Sequence, residues 1–342
     1  MCSFCPGLDT GYLLLFRKGT AMRLGFAVKV LGQPNLKSND SRRWQNGPHL
    51  SVSLAYVRDI LIYMRKAGMR MYRLSSELAP YVTHPDLPQF HQQIDACRTE
   101  LDEIGRLARR DDVRLSFHPG AYVVLNSPDE TVAVKSIADL NKQAELLDAM
   151  ALDARAVVVV HVGGTYEAKD AALDRFVARW EALAETTRRR LVLENDERNF
   201  AVEDTWALHQ RTGIRLVFDN LHHLNHNPSG LTTWEALTLC LNTWPADVVP
   251  KIHFSSPRTE MRIMERRNGS TGRLEQVLKP PLWAQHADFV NPWEFITLLE
   301  QARGLRDFDV MLEVKAKDLA LLRLREDVRR FAPYWACTLD AC

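Results

Sequence analysis

The chain has 342 residues, of which 46% are hydrophobic and 25% charged, a composition typical of a soluble globular protein. Its formal net charge of +1 neither indicates nor excludes a nucleic-acid binder, because phosphate binding depends on a local basic patch. No apolar run reaches the ~18 residues of a membrane-spanning helix, so we expect no membrane partner. The scattered cysteines require no oxidising compartment, which favours a cytoplasmic protein.

Strand-like and helix-like segments alternate from residue 23 to residue 331. Strands are predicted at 23–28, 69–75, 113–118, 154–162, 191–195, 214–219, 249–254 and 308–314. Apolar residues at helical spacing predict helices at 54–68, 90–110, 129–150, 168–186, 203–212, 232–243, 292–303 and 317–331. This series predicts a single (β/α)8 TIM barrel with its active site at the C-terminal ends of the strands. A doubly wound open sheet is the structural alternative.

The alternation also sets the expected domain limits. Residues 1–22 form an N-terminal appendage, residues 23–331 the barrel, and residues 332–342 a C-terminal tail. Met22 directly precedes the first strand, so it is an alternative start. A terminal zinc clip is an alternative role for four cysteines, although zinc ribbons need two tight pairs. These cysteines are Cys2, Cys5, Cys337 and Cys342.

Several predicted strands carry good metal ligands at or near their C-terminal ends. They are His118, His161, Glu194, Asp219, His253 and Glu313. A single strand-end histidine is more often a hydrogen-bonded core residue. Burying three carboxylates together without cations, however, would be costly because they repel one another. The pattern therefore predicts a cluster of divalent ions.

Two further histidines complete the candidate ligand set. His222 lies one turn beyond Asp219, and His286 follows a long loop from which it can reach back. One ion takes about four to six ligands, so eight ligands imply two or three ions. Mixed histidine and carboxylate sites suit Zn, Mn or Fe. Clustered ions in a wide mouth suit phosphodiester hydrolysis, because they activate water and neutralise the leaving oxygen.

The long loop between His253 and His286 carries more basic than acidic residues. Its basic residues are Arg258, Arg262, Arg266, Arg267, Arg273 and Lys279, against Glu260, Glu265 and Glu275. A loop this long is usually either functional or disordered. We expect Arg262, Arg266 and Arg267 to contact DNA phosphates, and a solvated, disordered insertion is the alternative.

Several motifs, in order along residues 23–324, are specific as a set. They are LGF (24–26), YRLSSELAPYVTHP (72–85), SFHPGAYVVLNSP (116–128), VVHVGGTY (159–166), LENDER (193–198), VFDNLHH (217–223), PKIHFSSP (250–257), HADFV (286–290) and LEVKAKDLALLRL (312–324). In these motifs the chain resembles the UV damage endonuclease family. Members of that family are metal-dependent barrel nucleases, similar to endonuclease IV, that nick DNA 5′ to UV photoproducts.

The resemblance implies a role for particular residues. It implies a trinuclear cluster, usually with Mn²⁺ (Zn²⁺ or Mg²⁺ being alternatives), held by His118, His161, Glu194, Asp219, His222, His253, His286 and Glu313. It also implies catalytic roles for Glu194 and His84, and for Lys251, which is carboxylated in relatives. An ordinary strand lysine is the alternative for Lys251.

The turn after His118 departs from the family pattern. The family commonly has Gln before an aromatic residue there, whereas this chain has Ala121 before Tyr122. Some relatives have Tyr where this chain has Phe26. We expect these three residues to contact substrate, with lesion discrimination relaxed or shifted because a methyl group cannot bind an orphaned base.

The expected function is therefore nicking of double-stranded DNA at UV lesions, and by extension at abasic sites, after base flipping. We expect a monomer without an obligate protein partner. A metal-dependent sugar or sugar-phosphate isomerase on the same barrel is the main alternative. A non-catalytic damage sensor is the other.

Overall fold

The computed structural model describes residues 22–166 and 168–339, so residues 1–21 of the predicted appendage (1–22) lie outside the described residues. In this part of the chain the strands are β1 (Leu24–Ala27), β2 (Met71–Arg73), β3 (Arg114–Phe117), β4 (Val157–His161), β5 (Leu191–Glu194), β6 (Arg215–Val217), β7 (Lys251–Phe254), β8 (Pro257–Arg258), β9 (Arg262–Arg267), β10 (Leu274–Lys279), β11 (Leu282–His286) and β12 (Asp309–Leu312). The α-helices are α1 (Leu50–Lys66), α2 (Gln93–Ala96), α3 (Arg98–Arg110), α4 (Glu130–Ala149), α5 (Lys169–Ala182), α6 (Glu185–Arg188), α7 (Val202–Thr212), α8 (Asn220–Asn225), α9 (Thr233–Asn242), α10 (Pro292–Gln301), α11 (Lys317–Phe331) and α12 (Pro333–Leu339).

Eight strands form one sheet in the order β6-β5-β4-β3-β2-β1-β12-β7, and every pair in it is parallel. The two edge strands meet where Asp219 bridges to His253, and the His253 amide donates to the Phe218 carbonyl at 2.9 Å. The sheet is therefore a nearly closed barrel with helices around it, and the predicted (β/α)8 fold is confirmed.

Burial on both faces explains the apolar run of β4. Val157 and Val159 pack with Val192 and Val217 from β5 and β6, whereas Val158 packs into the larger core that includes the helices. Parallel strands that are covered on both faces need such continuous apolar sequences. Because all these strands are parallel, their C-terminal ends lie at one rim of the barrel.

Local sequence explains where helices begin and end. Asp129 accepts from the Thr131 and Val132 amides at the start of α4, and Thr232 with Glu235 forms a capping box at α9. Gly213 ends α7 in the left-handed region at φ 74°. The predicted helix at 168–186 is instead divided, because Leu183 is extended between α5 and α6.

The long segment after β7 contains strands that the sequence analysis did not predict. β9 pairs antiparallel with β10, matching Ile263 with Leu278 and Met264 with Val277. The Asn268 side chain accepts from the Ser270 and Thr271 amides in the connecting turn. β8 pairs with β11 and brings His286 back beside Pro257. The segment is thus an ordered hairpin on a short two-stranded base.

The predicted C-terminal tail includes a helix, α12, that packs on the core. Trp335 is buried, and its indole nitrogen donates to Glu300 at 2.8 Å. The Met22 amide donates to the Thr338 carbonyl at 2.7 Å. Cys2, Cys5 and Cys342 of the zinc-clip alternative lie outside the described residues. Among the described helices, none has the length and apolarity needed to cross a membrane.

Candidate metal centre

The predicted ligands converge because register aligns the strand ends. Glu194 ends β5 beside His161 at the end of β4, with which it pairs in register. His253 pairs with Met311 of β12, and the Glu313 amide donates to the Phe254 carbonyl at 2.9 Å. Residues far apart in sequence are thereby placed around one cavity at the C-terminal rim.

Glu194 lies at the centre of the cluster and is fully buried. Its Oε2 atom lies 3.1 Å from His118 Nε2 and 3.7 Å from His161 Nε2. Its Oε1 atom lies 2.8 Å from His253 Nδ1 and 3.6 Å from His222 Nδ1. One carboxylate therefore faces four imidazoles.

Two overlapping groups of donor atoms are close enough to hold a metal ion, with all atoms in each group within 4.8 Å of one another. One group consists of His118, Glu194, His253 and Glu313, and the other of Glu194, Asp219 and His222. Glu194 is common to both. A carboxylate can offer one oxygen to each of two ions, so the arrangement suits a bridging ligand.

Asp219 combines a structural and a ligand-like role. Its Oδ1 atom caps α8 by accepting from the His222 amide at 2.8 Å. Its buried Oδ2 atom has no hydrogen-bond partner among the described residues. Since an unpaired buried carboxylate oxygen is costly, this atom is available to a cation.

His161 and His286 lie at the margin of the cluster. The buried Nδ1 atom of His161 lacks a partner within the described part of the chain. His286 Nδ1 lies 2.6 Å from Ser255 Oγ, and its Nε2 lies 3.8 Å from Glu313 Oε2. Their ring centroids lie 5.6 Å and 6.4 Å from that of His222, respectively. His161 and His286 therefore extend the set of possible ligands beyond the two groups of donor atoms that contain Glu194.

Arg73 of β2 is a member of the site that the sequence analysis missed. Its guanidinium pairs with Glu313 and lies 3.1 Å from His253 Nε2. Because guanidinium can only donate, Nε2 of His253 accepts and the proton of the neutral ring lies on Nδ1, between Glu194 and Glu313. A basic residue before a strand end carries no distinctive sequence signal.

Two other residues position ligands and were also missed. The Asn195 carbonyl oxygen lies 2.9 Å from His222 Nδ1, and its side-chain amide exchanges hydrogen bonds with the backbone of Asp219. Ser255 holds His286. Such orienting contacts are usual around metal ligands. The available sequence signal was their position next to predicted ligands, Asn195 after Glu194 in the motif LEND and Ser255 after His253 in the motif HFSS.

Burial and the neighbouring charges shift the pKa values of the ionisable groups in this site. Burial alone would raise the pKa of Glu194, but His253, His161 and His118 hold it well below its ordinary value. Burial, with repulsion from Glu194 and Glu313, raises the pKa of Asp219 to about 6 despite His222. Despite burial, the three carboxylates raise the pKa of His222 to about 10.

These features fit divalent cations. The buried carboxylates of Glu194 and Asp219 and the half-buried carboxylate of Glu313 lie close together near Arg73 and a protonated His222, and Asp219 keeps one oxygen unpaired among the described residues. The donor set mixes imidazole nitrogens with carboxylate oxygens, as transition-metal sites do. Binding would release the proton from His222, because a ligating imidazole must be neutral.

Lys251 lies beneath the cluster in β7 and is fully buried. Its Nζ atom donates to Ser116 Oγ at 3.1 Å. Burial, reinforced by Arg73 and Arg114, lowers the pKa of Lys251 well below its ordinary value, although Glu194 and Glu313 oppose the shift.

The other predicted substrate residues are not all brought together. Tyr122 is 63% exposed and Ala121 is also exposed, in the loop after β3. His84 is exposed in the loop after β2. Phe26 is fully buried against Tyr72, with ring centroids 5.2 Å apart, so it has no exposed surface to offer a ligand.

A parallel barrel with a cluster of donor side chains at the C-terminal ends of its strands has the architecture of the (β/α)8 enzymes. The model of the family described as UV-endonuclease UvdE matches residues 50–335. A UV DNA damage endonuclease of Bacillus velezensis is 33% identical over 294 residues, which cover 84% of this chain and 85% of that protein. The chain therefore belongs to the UV-endonuclease UvdE family.

Solved structures agree with this membership. The crystal structure of SacUVDE matches with 29% identity and a TM-score of 0.74, covering 90% of this chain and 98% of that chain. A structure of L-ribulose 3-epimerase matches with 16% identity and a TM-score of 0.55, covering 93% and 95%. The second likeness shows the fold alone, so it carries no argument for the sugar-isomerase alternative.

Proposed function

We propose that this protein nicks the DNA backbone 5′ to UV photoproducts, and by extension at abasic sites, in a duplex substrate. The observation that carries the proposal is Glu194, which is common to both groups of donor atoms at the mouth of a UvdE-family barrel. We also propose a cytoplasmic monomer that needs no protein partner.

The proposed cofactor is a cluster of two or three divalent ions, with Mn²⁺ favoured over Zn²⁺ or Mg²⁺. The proposed ligands are His118, His161, Glu194, Asp219, His222, His253, His286 and Glu313. When bound, such ions supply Lewis acidity toward the phosphodiester and the attacking water. Glu194 holds both ligand groups in register, and Asp219 offers the oxygen that helix capping leaves unused.

Arg73 and Asn195 keep these ligands in place. The Arg73 guanidinium fixes one oxygen of Glu313 and the outer nitrogen of His253. The Asn195 carbonyl orients the His222 ring. Ligands that are held rigidly lose less conformational entropy on binding ions, so these contacts favour a preorganised site.

We propose that Lys251 is carboxylated and acts as an additional acidic group. A neutral amine is the form that reacts with carbon dioxide, and the surroundings of Lys251 favour that form. The buried Nε atom of Arg73 has no acceptor among the described residues, and Arg73 is one of the cations that act on Lys251. A carbamate on Lys251 would add negative charge between two buried arginines.

His84 is proposed to act at the scissile phosphate. Its Nδ1 atom accepts from the Asp86 amide at 3.3 Å, which places the proton of the neutral ring on Nε2. The exposed imidazole can then donate that proton toward a phosphate oxygen.

Recognition is proposed to require base flipping. A lesion in a duplex reaches a site at the bottom of a barrel mouth only after it leaves the stack, and damaged nucleotides flip most readily. Tyr122 is exposed and suited to filling the resulting gap, beside Ala121, which cannot hydrogen-bond a base. Phe26 is not included, because it is buried.

The hairpin β9–β10 is proposed to contact the DNA backbone through Arg262 and Arg266. Both lie on one face of β9, and the Arg262 guanidinium reaches Asp288 at 2.9 Å, two residues after His286. This face is therefore directed toward the mouth of the barrel. Arg267 lies on the opposite face, because side chains alternate along a strand.

The decisive experiment is incubation of the purified protein and Mn²⁺ with a duplex that carries one cyclobutane dimer. We expect a single nick 5′ to the dimer, loss of nicking with a chelator, and no nick in the undamaged duplex. A matched abasic duplex tests the wider lesion range. Lesion binding without a nick, with Mn²⁺, Zn²⁺ or Mg²⁺, would support the damage-sensor alternative and overturn the proposal.

A further inference from the structure

A second cavity opens at the opposite end of the barrel from the candidate metal centre. Its volume is about 690 Å³, within the usual range for small-molecule sites. It lies where β5 and β6 begin, and α6 contributes to its wall. Its lining includes Arg188, Arg189, Arg215, Trp180 and Trp244.

Arg215 brings a positive charge into this cavity without a carboxylate partner among the described residues. Its guanidinium donates to the carbonyls of Ala154 and Arg189, at 3.0 Å and 2.5 Å, and lies 4.7 Å from the Trp244 ring centroid. Carbonyls satisfy hydrogen bonds but do not neutralise charge. Burial, with repulsion from Arg114 and Arg190, lowers the pKa of Arg215 to about 10.

Arg188 adds a second uncompensated guanidinium to the lining. Its Nε atom is buried and has no hydrogen-bond acceptor in the described part of the chain. Buried polar groups without partners are rare in native proteins and usually indicate a missing ligand or water. Arg188 ends α6, the start of β5 follows within three residues, and both Arg188 and Leu191 line the cavity.

Nearby acidic groups do not balance these charges. Asp148 is engaged by Arg189 at 2.7 Å and by Arg190 at 2.8 Å. Among the described residues that line the cavity, Glu185 alone is acidic, and it is exposed. A half-buried group of guanidiniums with a net positive charge stabilises an anion much more than it stabilises water.

We propose that this cavity is a binding site for a small phosphate monoester or inorganic phosphate, held by Arg188 and Arg215. The planar forks of two arginines match the oxygens of a tetrahedral dianion, which each can bind through two parallel hydrogen bonds. The site is separate from the metal centre. Phosphate binding at this cavity therefore does not depend on whether the protein is a nuclease.

The test is titration of the chelator-treated protein with inorganic phosphate at constant ionic strength, followed by calorimetry. Chelation prevents phosphate from binding to metal ions at the other end of the barrel. We expect one saturable site in the wild-type protein. Arg188→Gln should weaken phosphate binding by at least about 10-fold, because a charge-assisted hydrogen bond is lost.

Two further variants serve as controls for folding and for a general charge effect. Arg215→Lys keeps the charge but removes the fork, and should also weaken binding while the protein remains folded by circular dichroism. Arg58→Gln removes one exposed charge that pairs with Asp59 on α1, and should leave phosphate affinity unchanged.

The outcomes decide the proposal. Absence of saturable binding in the wild type, or equal affinity in the wild type and Arg188→Gln, would overturn it. An equal loss in Arg58→Gln would show a general charge effect and would also overturn it. Displacement of phosphate by an undamaged duplex would assign the site to the DNA backbone instead of a small phosphate.

Discussion

Carboxylates at the two ends of the barrel differ in how many cationic partners they have. At the N-terminal end, Asp309 accepts from Arg114 at 2.9 Å and from the Arg23 amide at 2.9 Å, and the Arg23 guanidinium lies 3.3 Å away. At the C-terminal end, Glu313 pairs with the Arg73 guanidinium, and Glu194, Asp219 and Glu313 lie among a set of imidazoles. The Asp309 carboxylate is thus compensated by two arginines, whereas the three carboxylates of the metal centre have fewer cationic partners than charges among the described residues.

Because of this difference, we expect the Asp309 carboxylate to stabilise the fold and the carboxylates of the metal centre to serve function at a cost in stability. The carboxylate of Asp309 pairs with two arginines, and its removal leaves the buried guanidinium of Arg114 without a carboxylate partner. The carboxylates of the metal centre repel one another, so neutralising one relieves strain while it removes a ligand. Substitutions of the same kind at the two ends should therefore change stability in opposite directions.

The largest expected effect is at the N-terminal end. Asp309→Asn should lower the free energy of unfolding by about 3–5 kcal/mol, because it leaves the buried Arg114 guanidinium without its carboxylate partner, whereas Arg23 keeps Asp112. Chemical denaturation measures this change. Bound metal per folded molecule should stay at the wild-type value, and a loss of metal without a loss of stability would contradict the comparison.

At the C-terminal end, the corresponding loss should be in activity. Glu194→Gln keeps the shape of the side chain and removes the charge that both donor groups share, so nicking should fall at least ~100-fold. Nicking assays and metal analysis of the same preparation measure the effect. A near wild-type rate with unchanged metal content would refute the bridging role of Glu194.

The stability of the chelator-treated protein should also depend on pH through Asp219. Its pKa is raised to about 6, so the folded state holds this proton more tightly than the unfolded state does. Stability from this group is present at low pH and is lost as the pH rises from about 4 to about 6, by an amount on the order of 3 kcal/mol.

Asp219→Asn is the matched variant, because asparagine caps a helix as well as aspartate does. The variant should gain stability over the wild type as the pH rises through this range, and the difference should then level off above about pH 6. Denaturation curves at pH 4, 5, 6 and 7 measure it. A constant difference at every pH would show that Asp219 does not carry the raised pKa.

The sequence predicted the barrel, and it predicted that donor residues meet at one rim, because both depend on local patterns. Apolar runs such as Val157–Val160 end on a donor residue, and the C-terminal ends of parallel strands must share one rim. Arg73, Asn195 and Ser255 could not be predicted, because each acts through a partner that is distant in sequence. The ordered hairpin was missed because Arg262–Arg267 is mostly exposed, so its alternation lacked a buried face.

Tyr122 provides a smaller effect that concerns substrate alone. Tyr122→Ala should weaken binding to a lesion-bearing duplex by ~1–3 kcal/mol, the range for stacking of a base on an aromatic ring. Metal content should not change, because the side chain is exposed and outside the donor groups. Fluorescence anisotropy on damaged and undamaged duplexes measures it, and an equal loss on both would argue for a plain backbone contact.

The smallest expected effect distinguishes the two faces of the hairpin. Arg266 shares the face of Arg262 that is directed toward Asp288, whereas Arg267 lies one residue further on the opposite face. Arg262 is already paired with Glu260 and Asp288, so Arg266 is the freer of the two to bind phosphate. Arg266→Ala should reduce the slope of log affinity against log salt by about 0.9, the value for one lost phosphate contact.

Arg267→Ala is its matched control, since it removes the same charge from the same strand. Its salt slope should equal that of the wild type, and both variants should behave alike on damaged and undamaged duplexes, because phosphate contacts do not identify the base. Equal reductions in both variants would mean that charge on the hairpin acts without regard to its face. An unchanged slope in both, and in the Arg262, Arg266 and Arg267 triple alanine variant, would place the backbone contacts on the loop after β1, which carries Lys29, Lys37, Arg42 and Arg43.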